Sequence, residues 1–185
     1  MNTRRHPISP PLPFARSYWV HPGQLLGGFY PGDRDDAVTA GKLNALLDCG
    51  VTHIINLMQA TEGDHAGRAF IAYEAPFLRL AAQRGIHAGW SRHPVQDLGV
   101  PSLAQMTAIL DKMDTVTAQG GCVYVHCWGG RGRTGTVMGC WLARHGEADP
   151  LSHLRQLTAH ARSHFPQVPE TAQQQFFVNQ WRLNS

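Results

Sequence analysis

No stretch of the 185-residue sequence approaches the ~18 consecutive apolar residues of a membrane-spanning helix. Met1 to Ser17 carries Arg4, Arg5 and Arg16 but four prolines and no apolar centre, so no secretory signal is read there. Cysteine is sparse: four residues, at 49, 122, 127 and 140, with no close spacing of a disulfide framework. Free thiols in a reducing, cytoplasmic setting are therefore expected. Eleven histidines are present, yet none stands in a His-Glu-x-x-His pattern and no Cys-x-x-Cys accompanies them, so neither a metal nor a cofactor is expected. Net charge is only +3 with histidines neutral, which suits an anionic ligand but falls short of a nucleic-acid-binding signature. There are no internal repeats. With 43% hydrophobic residues the chain is long and apolar enough for one globular domain with a sizeable core.

Against this background one stretch stands out, Val123-Tyr124-Val125-His126-Cys127-Trp128-Gly129-Gly130-Arg131-Gly132-Arg133-Thr134-Gly135. A β-branched apolar run ends at a His-Cys pair, a glycine-dense turn follows, and a helical pattern begins. A strand–loop–helix of this kind turns backbone N–H groups inward and adds the positive end of a helix, which makes an oxyanion cradle. Five residues separate Cys127 from Arg133, three of them glycine, and glycine lets backbone come close to a ligand. The other cysteines lack an arginine at that distance: Ile55, Trp128 and Gly146 stand six residues after Cys49, Cys122 and Cys140. A nucleotide-binding loop needs Gly-x4-Gly-Lys-Ser/Thr, and no lysine is present here. Rhodanese-type sulfurtransferases also place a cysteine on a compact loop, but the gap to arginine and the Thr-Gly start of the helix fit them less well. Helix ends and cationic neighbours lower a thiol's pKa from about 8.5, so Cys127 is expected to be a thiolate at neutral pH. Arg133 offers a planar fork of donors for two phosphate oxygens. Trp128, Gly129, Gly130, Arg131, Gly132 and Arg133 would form the phosphate-binding loop.

The His-Cys-x5-Arg-Thr run resembles the signature of the cysteine-dependent protein tyrosine phosphatases, particularly their compact dual-specificity branch. The resemblance runs from about Leu25 to Trp181, and only the loop is highly specific. It implies a phosphate monoester hydrolase with a cysteinyl-phosphate intermediate and Cys127 as nucleophile. It also implies that Thr134 is the hydroxyl that helps the sulfur leave, and His126 is expected to buttress the loop. In His93-Pro94-Val95-Gln96-Asp97-Leu98-Gly99-Val100-Pro101, an aspartate is followed four residues later by proline, just before a helical pattern, thirty residues ahead of Cys127. That resembles the family's general-acid loop, and an alkoxide or phenoxide leaves poorly unless protonated. Asp97 is therefore the expected acid; Asp111 and Asp114 fall within a helical pattern and are weaker candidates. Phe29-Tyr30-Pro31-Gly32, and Pro166, Pro169 and Gln173, resemble further family segments.

The implied substrate is a phosphorylated protein bearing phosphotyrosine, with phosphoserine and phosphothreonine admitted. Arg131 is a second loop cation, which keeps a phosphoinositide or inositol phosphate as the alternative. A phosphate-binding module without turnover is a third. Trp128 either stacks on a substrate ring or shapes the loop. Cys122 either traps an oxidised Cys127 or faces the core.

Residues 1–17 read as a proline-rich arm and 18–185 as the catalytic domain. Strands are expected at Tyr18–His21, Gln24–Gly28, Val51–Leu57, Glu74–Leu80, Ile86–Val95 and up to His126. Helices are expected at Thr39–Cys49, from Ser102 as cap to Gln119, from Arg133 to Gly146, from Asp149-Pro150 to His164, and over Thr171–Trp181. Gln59–Ala72, with Glu62, Asp64, His65 and Arg68, reads as a solvated loop or short helix. Phe176, Phe177 and Trp181 are expected in the core. The expected fold is a single α/β domain with a central mixed, mostly parallel sheet flanked by helices, its site at the carboxyl ends of the strands.

Overall fold

The computed structural model describes residues 10–184; the side chains of 183 and 184 and all of residues 1–9 and 185 lie outside the description. Among these residues five strands make one sheet: β1 (Ser17–His21), β2 (Leu25–Gly28), β3 (Val51–Asn56), β4 (Gly89–Arg92) and β5 (Cys122–His126), in the order β1-β2-β5-β3-β4. Only the β1–β2 pair is antiparallel. β5 is central, and every one of its residues is buried. A strand covered on both faces needs an unbroken apolar sequence, which explains Cys-Val-Tyr-Val-His.

Among the described residues six helices flank the sheet: α1 (Asp36–Asp48), α2 (Glu74–Gln83), α3 (Leu103–Ala118), α4 (Gly132–Arg144), α5 (Pro150–Leu157) and α6 (Ala172–Asn184). α1 lies on β3 and against α2; α3, α4, α5 and α6 pack on one another across the other face. Four helices start on side-chain caps that satisfy early N–H groups: Asp35 accepts from Ala37 and Val38, Ser102 from Gln105, Asp149 from Ser152, and Thr171 from Gln174. α4 starts on Arg131 with no such bond, leaving its first amides uncapped by a side chain.

The central sheet, mixed and mostly parallel, matches the expectation. Four local expectations fail. Glu74–Leu80 is not a strand but most of α2: Phe77 and Ala81 are buried four residues apart, a helical spacing, and Pro76 falls in the first turn where proline is tolerated. The strand expected over Ile86–Val95 is confined to Gly89–Arg92. The helix expected from Asp149 to His164 stops at Leu157 and is followed by a 3-10 turn at Ala159–Ala161. Phe176 points outward at 64% exposure, although Phe177 and Trp181 pack against the core.

Residues 10–16 form no helix or strand, yet they lie against the body. The Trp19 indole N–H donates to Pro10 O (3.0 Å), the Cys49 thiol to Pro11 O (3.4 Å) and the Ser17 hydroxyl to Phe14 O (2.6 Å). Phe14 meets Phe29 and Tyr124 edge-on.

Candidate active site

β5 delivers His126 and then Cys127 to the carboxyl edge of the sheet, level with Gly28 of β2 and Asn56 of β3. Cys127 is only 3% exposed. It lies on the wall of a cavity of about 610 Å³ shared with Arg16, Asp97, Arg131, Arg133 and Glu170. The turn out of β5 is tight. Gly130 has φ +77°, and a Cβ there would stand 2.4–2.6 Å from the backbone of Gly28 and Phe29. Only glycine fits, so the loop is pressed onto the end of β2.

His126 is fully buried beneath the loop. Its Nδ1–H donates to the carbonyl of Cys127 (3.0 Å), and its Nε2 accepts from the Tyr73 hydroxyl, which in turn accepts from the Trp90 indole (3.0 Å). Burial, with the nearby charges of Arg133 and Arg92, lowers the His126 pKa to about 3 despite the bond to Cys127 O. The ring is therefore neutral and works as a strut between α2 and the loop.

Arg133, in the first turn of α4, is 2% exposed. Its Nη1 donates to Glu62 Oε2 (2.7 Å) and Val95 O (3.1 Å), and its Nη2 to Glu62 Oε1 (2.7 Å). Nη2 also lies 2.8 Å from Asp97 Oδ1. Burial opposes the guanidinium charge, but the Glu62 bonds and the charges of Cys127, Glu62 and Asp97 outweigh it, and the Arg133 pKa is raised. The two carboxylates differ: the Glu62 side chain is 10% exposed and Asp97 is 51% exposed. Glu62 is a fixed clamp. Asp97 sits on a loop where Leu98 has φ +61° and Gly99 N–H returns to Gln96 O (3.0 Å). That loop is tethered by Gln105 to Pro94 O (2.8 Å) and by Gln174 to Gly99 O (3.0 Å).

A cysteine and a buried arginine from the β5–α4 loop and an aspartate from a second loop thus meet at one cavity. The model of the Swiss Army Knife DSP-PTPase phosphatase domain matches residues 14–178. The chain belongs to that family. It is 32% identical over 88 residues to an uncharacterized protein of Methanocaldococcus jannaschii, covering 48% of this chain and 56% of that one. It is also 38% identical over 108 residues to mouse (Mus musculus) protein tyrosine phosphatase domain-containing protein 1, covering 54% of this chain and 13% of that protein. The chain thus spans about half or less of the length of these curated relatives. Among solved structures, PTPMT1 in complex with PI(5)P superimposes with a TM-score of 0.65 at 20% identity, over 91% of this chain and 96% of that one. This likeness shows a shared fold.

Seen as a DSP-PTPase domain, the remaining expected residues fall as follows. Thr134 is fully buried, and its hydroxyl has no hydrogen-bond partner. Arg131 turns to Glu170 in a close ion pair, so its charge is already countered. Trp128 leans on His65 (4.4 Å between ring centroids) and Phe70 (5.4 Å), and its carbonyl accepts from Tyr30 N–H (3.0 Å), so its ring forms part of the wall. Gly129 and Gly132 line the cavity with it. Gln173 is exposed; its neighbour Gln174 is the buried one, bonded to Gly99 O and Thr171 N–H. Asp111 and Asp114 pair with Arg144 and do not line the cavity. Cys122 opens β5 and Cys127 follows its end, about 16 Å along an extended strand. Since a disulfide needs Cα atoms within about 7 Å, Cys122 cannot trap Cys127; it faces the core at 3% exposure.

Two residues escaped sequence reading. Glu62 lies in a stretch with no periodicity, and the loop expected there to be solvated turns it inward through a turn closed by the Gly63–Ala69 bridge. The one signal was indirect: an arginine committed to a buried loop needs a carboxylate. Arg16 sits in the arm and reaches the loop only because β1 pairs with β2, which pairs with β5.

Proposed function

We propose that the chain hydrolyses phosphate monoesters through a cysteinyl-phosphate. The Cys127 sulfur attacks phosphorus; an S–P bond forms as the P–O bond to the leaving group breaks, and Asp97 gives its proton to the departing oxygen. A water then attacks phosphorus, Asp97 takes a proton from it, and the S–P bond breaks to return the thiolate and release inorganic phosphate. Arg133 and the loop amides hold the equatorial oxygens, whose charge grows in both transition states. Half-exposed Asp97 is the carboxylate that yields its place on Arg133 to the phosphoryl group, while buried Glu62 keeps the guanidinium aligned. The Thr134 hydroxyl is assigned to the sulfur as it leaves, a use consistent with its buried, unpartnered oxygen.

One observation carries this reading: Asp97, thirty residues ahead of Cys127 in the sequence, lines the same cavity as Cys127 and Arg133 of the β5–α4 loop. Family membership makes a protein tyrosine or dual-specificity phosphatase the first reading of substrate. The polar rim of the cavity, with Arg16, His65, Ser163 and His164, favours a second, in which the leaving group is a polyol. The cytoplasm is the proposed compartment, because a reducing setting keeps a thiol nucleophile reduced and the four cysteines are unpaired. The test is hydrolysis of p-nitrophenyl phosphate in excess chelator. Wild type turns over, and Cys127→Ser falls to background while still binding vanadate. Activity that depends on added metal overturns the mechanism. A wild type that binds vanadate without turnover makes the chain a binding module.

A further inference from the structure

Three arginines line the catalytic cavity, and two of them are already answered by carboxylates. Arg133 faces Glu62 and Asp97, and Arg131 faces Glu170. Arg16 differs. Among the described residues it makes no ion pair, and residues 1–9 contain neither aspartate nor glutamate. Its Nε is buried without a hydrogen-bond partner, and its Nη2 reaches the Gly129 carbonyl only at 3.4 Å.

Its placement is firm. The Arg16 carbonyl accepts from Phe29 N–H (3.2 Å), and Ser17 beside it pairs with Gly28 at the start of β1. The guanidinium lies 4.5 Å from the centre of the Phe29 ring, which itself is held edge-on by Phe14. Burial is the largest influence on the Arg16 guanidinium and lowers its pKa, with the neighbouring Arg131 charge acting in the same direction. Arginine remains charged regardless. A half-buried cation without a carboxylate partner carries an electrostatic penalty that an anion in the cavity would offset.

The cavity, about 610 Å³, is far larger than one phosphoryl group and falls in the range of small-molecule sites. Arg133 and the loop account for the scissile phosphate, which leaves Arg16 facing whatever anion the rest of the substrate carries. Beyond the sulfur, His65, Ser163 and His164 offer hydrogen-bonding groups suited to hydroxyls.

Resting on the cysteine-phosphatase reading, we propose that Arg16 is a specificity-determining residue that grips a second phosphate, and that the substrate is a polyol bisphosphate whose two phosphates stand close together. The same chemistry is presented by a soluble inositol bisphosphate and by a phosphoinositide headgroup.

The experiment compares full-length wild type with Arg16→Gln and Arg16→Lys. Substrates are p-nitrophenyl phosphate, inositol monophosphate, soluble inositol bisphosphate, the matching phosphoinositide in phosphatidylcholine vesicles, and a doubly phosphorylated peptide. Wild type is expected to prefer bisphosphate over monophosphate in kcat/KM. Arg16→Gln raises KM for the bisphosphate at least tenfold more than KM for the aryl monophosphate, in line with losing a charged hydrogen bond, and Arg16→Lys recovers part of the difference. The arm that shows the larger effect, soluble or vesicle, identifies the source. Equal losses on mono- and bisphosphates, no loss on either, or a loss confined to the peptide overturn the proposal. Calorimetric titration of inositol bisphosphate into Cys127→Ser, with and without Arg16→Gln, keeps the test independent of turnover: a weaker Kd in the double variant supports the subsite, and an equal Kd removes it.

Discussion

Two carboxylates share the Arg133 guanidinium, and their different burial separates what each contributes. Glu62 and Arg133 form a buried bidentate pair, and removing one partner of such a pair leaves an uncompensated charge, worth about 3 kcal/mol or more. Asp97 is half exposed, and exposed pairs contribute about 1 kcal/mol or less. Opposite phenotypes are expected. Glu62→Gln lowers Tm by several degrees and raises KM, because the fork that receives phosphate is no longer held. Asp97→Asn leaves Tm nearly unchanged but lowers kcat on alkyl phosphates by about 10²–10⁴-fold, with a smaller loss on nitrophenyl esters, whose leaving group needs little protonation. Thermal melts and a leaving-group series on both variants check this crossed pattern. Equal sensitivity of Asp97→Asn to alkyl and aryl leaving groups would remove Asp97 from the acid role.

At the level of elements, the site is a joint between β5 and α4 closed against the end of β2. Two neighbouring glycines make that closure testable. Gly130 has a positive φ, and an added methyl would meet backbone atoms of Gly28 and Phe29 at 2.4–2.6 Å, at and just past the end of β2, where the backbone cannot yield. At Gly129 the nearest atom to such a methyl, in the Arg131 side chain, is 3.8 Å away. Gly130→Ala is therefore expected to lose activity by about 100-fold or more and to destabilise the fold by about 1–3 kcal/mol, whereas Gly129→Ala loses less than about tenfold. Denaturant melts and kcat/KM on p-nitrophenyl phosphate distinguish the two. The α2 element belongs to the same joint: it brings Tyr73 under His126, so a helix read as a strand from its sequence turns out to support the catalytic loop.

For the whole molecule, buried histidines link the fold to pH. His126 and His53 are held neutral, burial being the first cause for both, with pKa lowered to about 3 and about 4. In the unfolded chain they titrate near 6.5. Below that value the unfolded state binds protons that the folded state refuses, so stability is complete above about pH 6.5 and is lost as pH falls toward 3. Tm is expected to drop across this window, and the drop should be shallower in His126→Asn than in wild type even if the variant is less stable at neutral pH. Parallel Tm–pH curves for the two proteins would show that His126 does not carry this linkage.

Sequence alone determined the strand–loop–helix at Val123–Gly135, because a buried central strand, a glycine turn and a helix start each leave a local mark in residue type and spacing. The same holds for the capped helices and for the loop position of Asp97, which is bounded by proline and a helix cap. Only the tertiary structure decided the electrostatics. Glu62 lies 71 residues from Arg133, and Arg16 lies 113 from Gly129, separations at which no periodicity connects partners. Arg131, a second loop cation in the sequence, is paired with Glu170 in the fold, and of the two roles open to Cys122 the extended strand leaves the one facing the core. Spacing along a chain records how backbone folds locally; which charges neutralise one another depends on how sheet order and packing bring distant segments together.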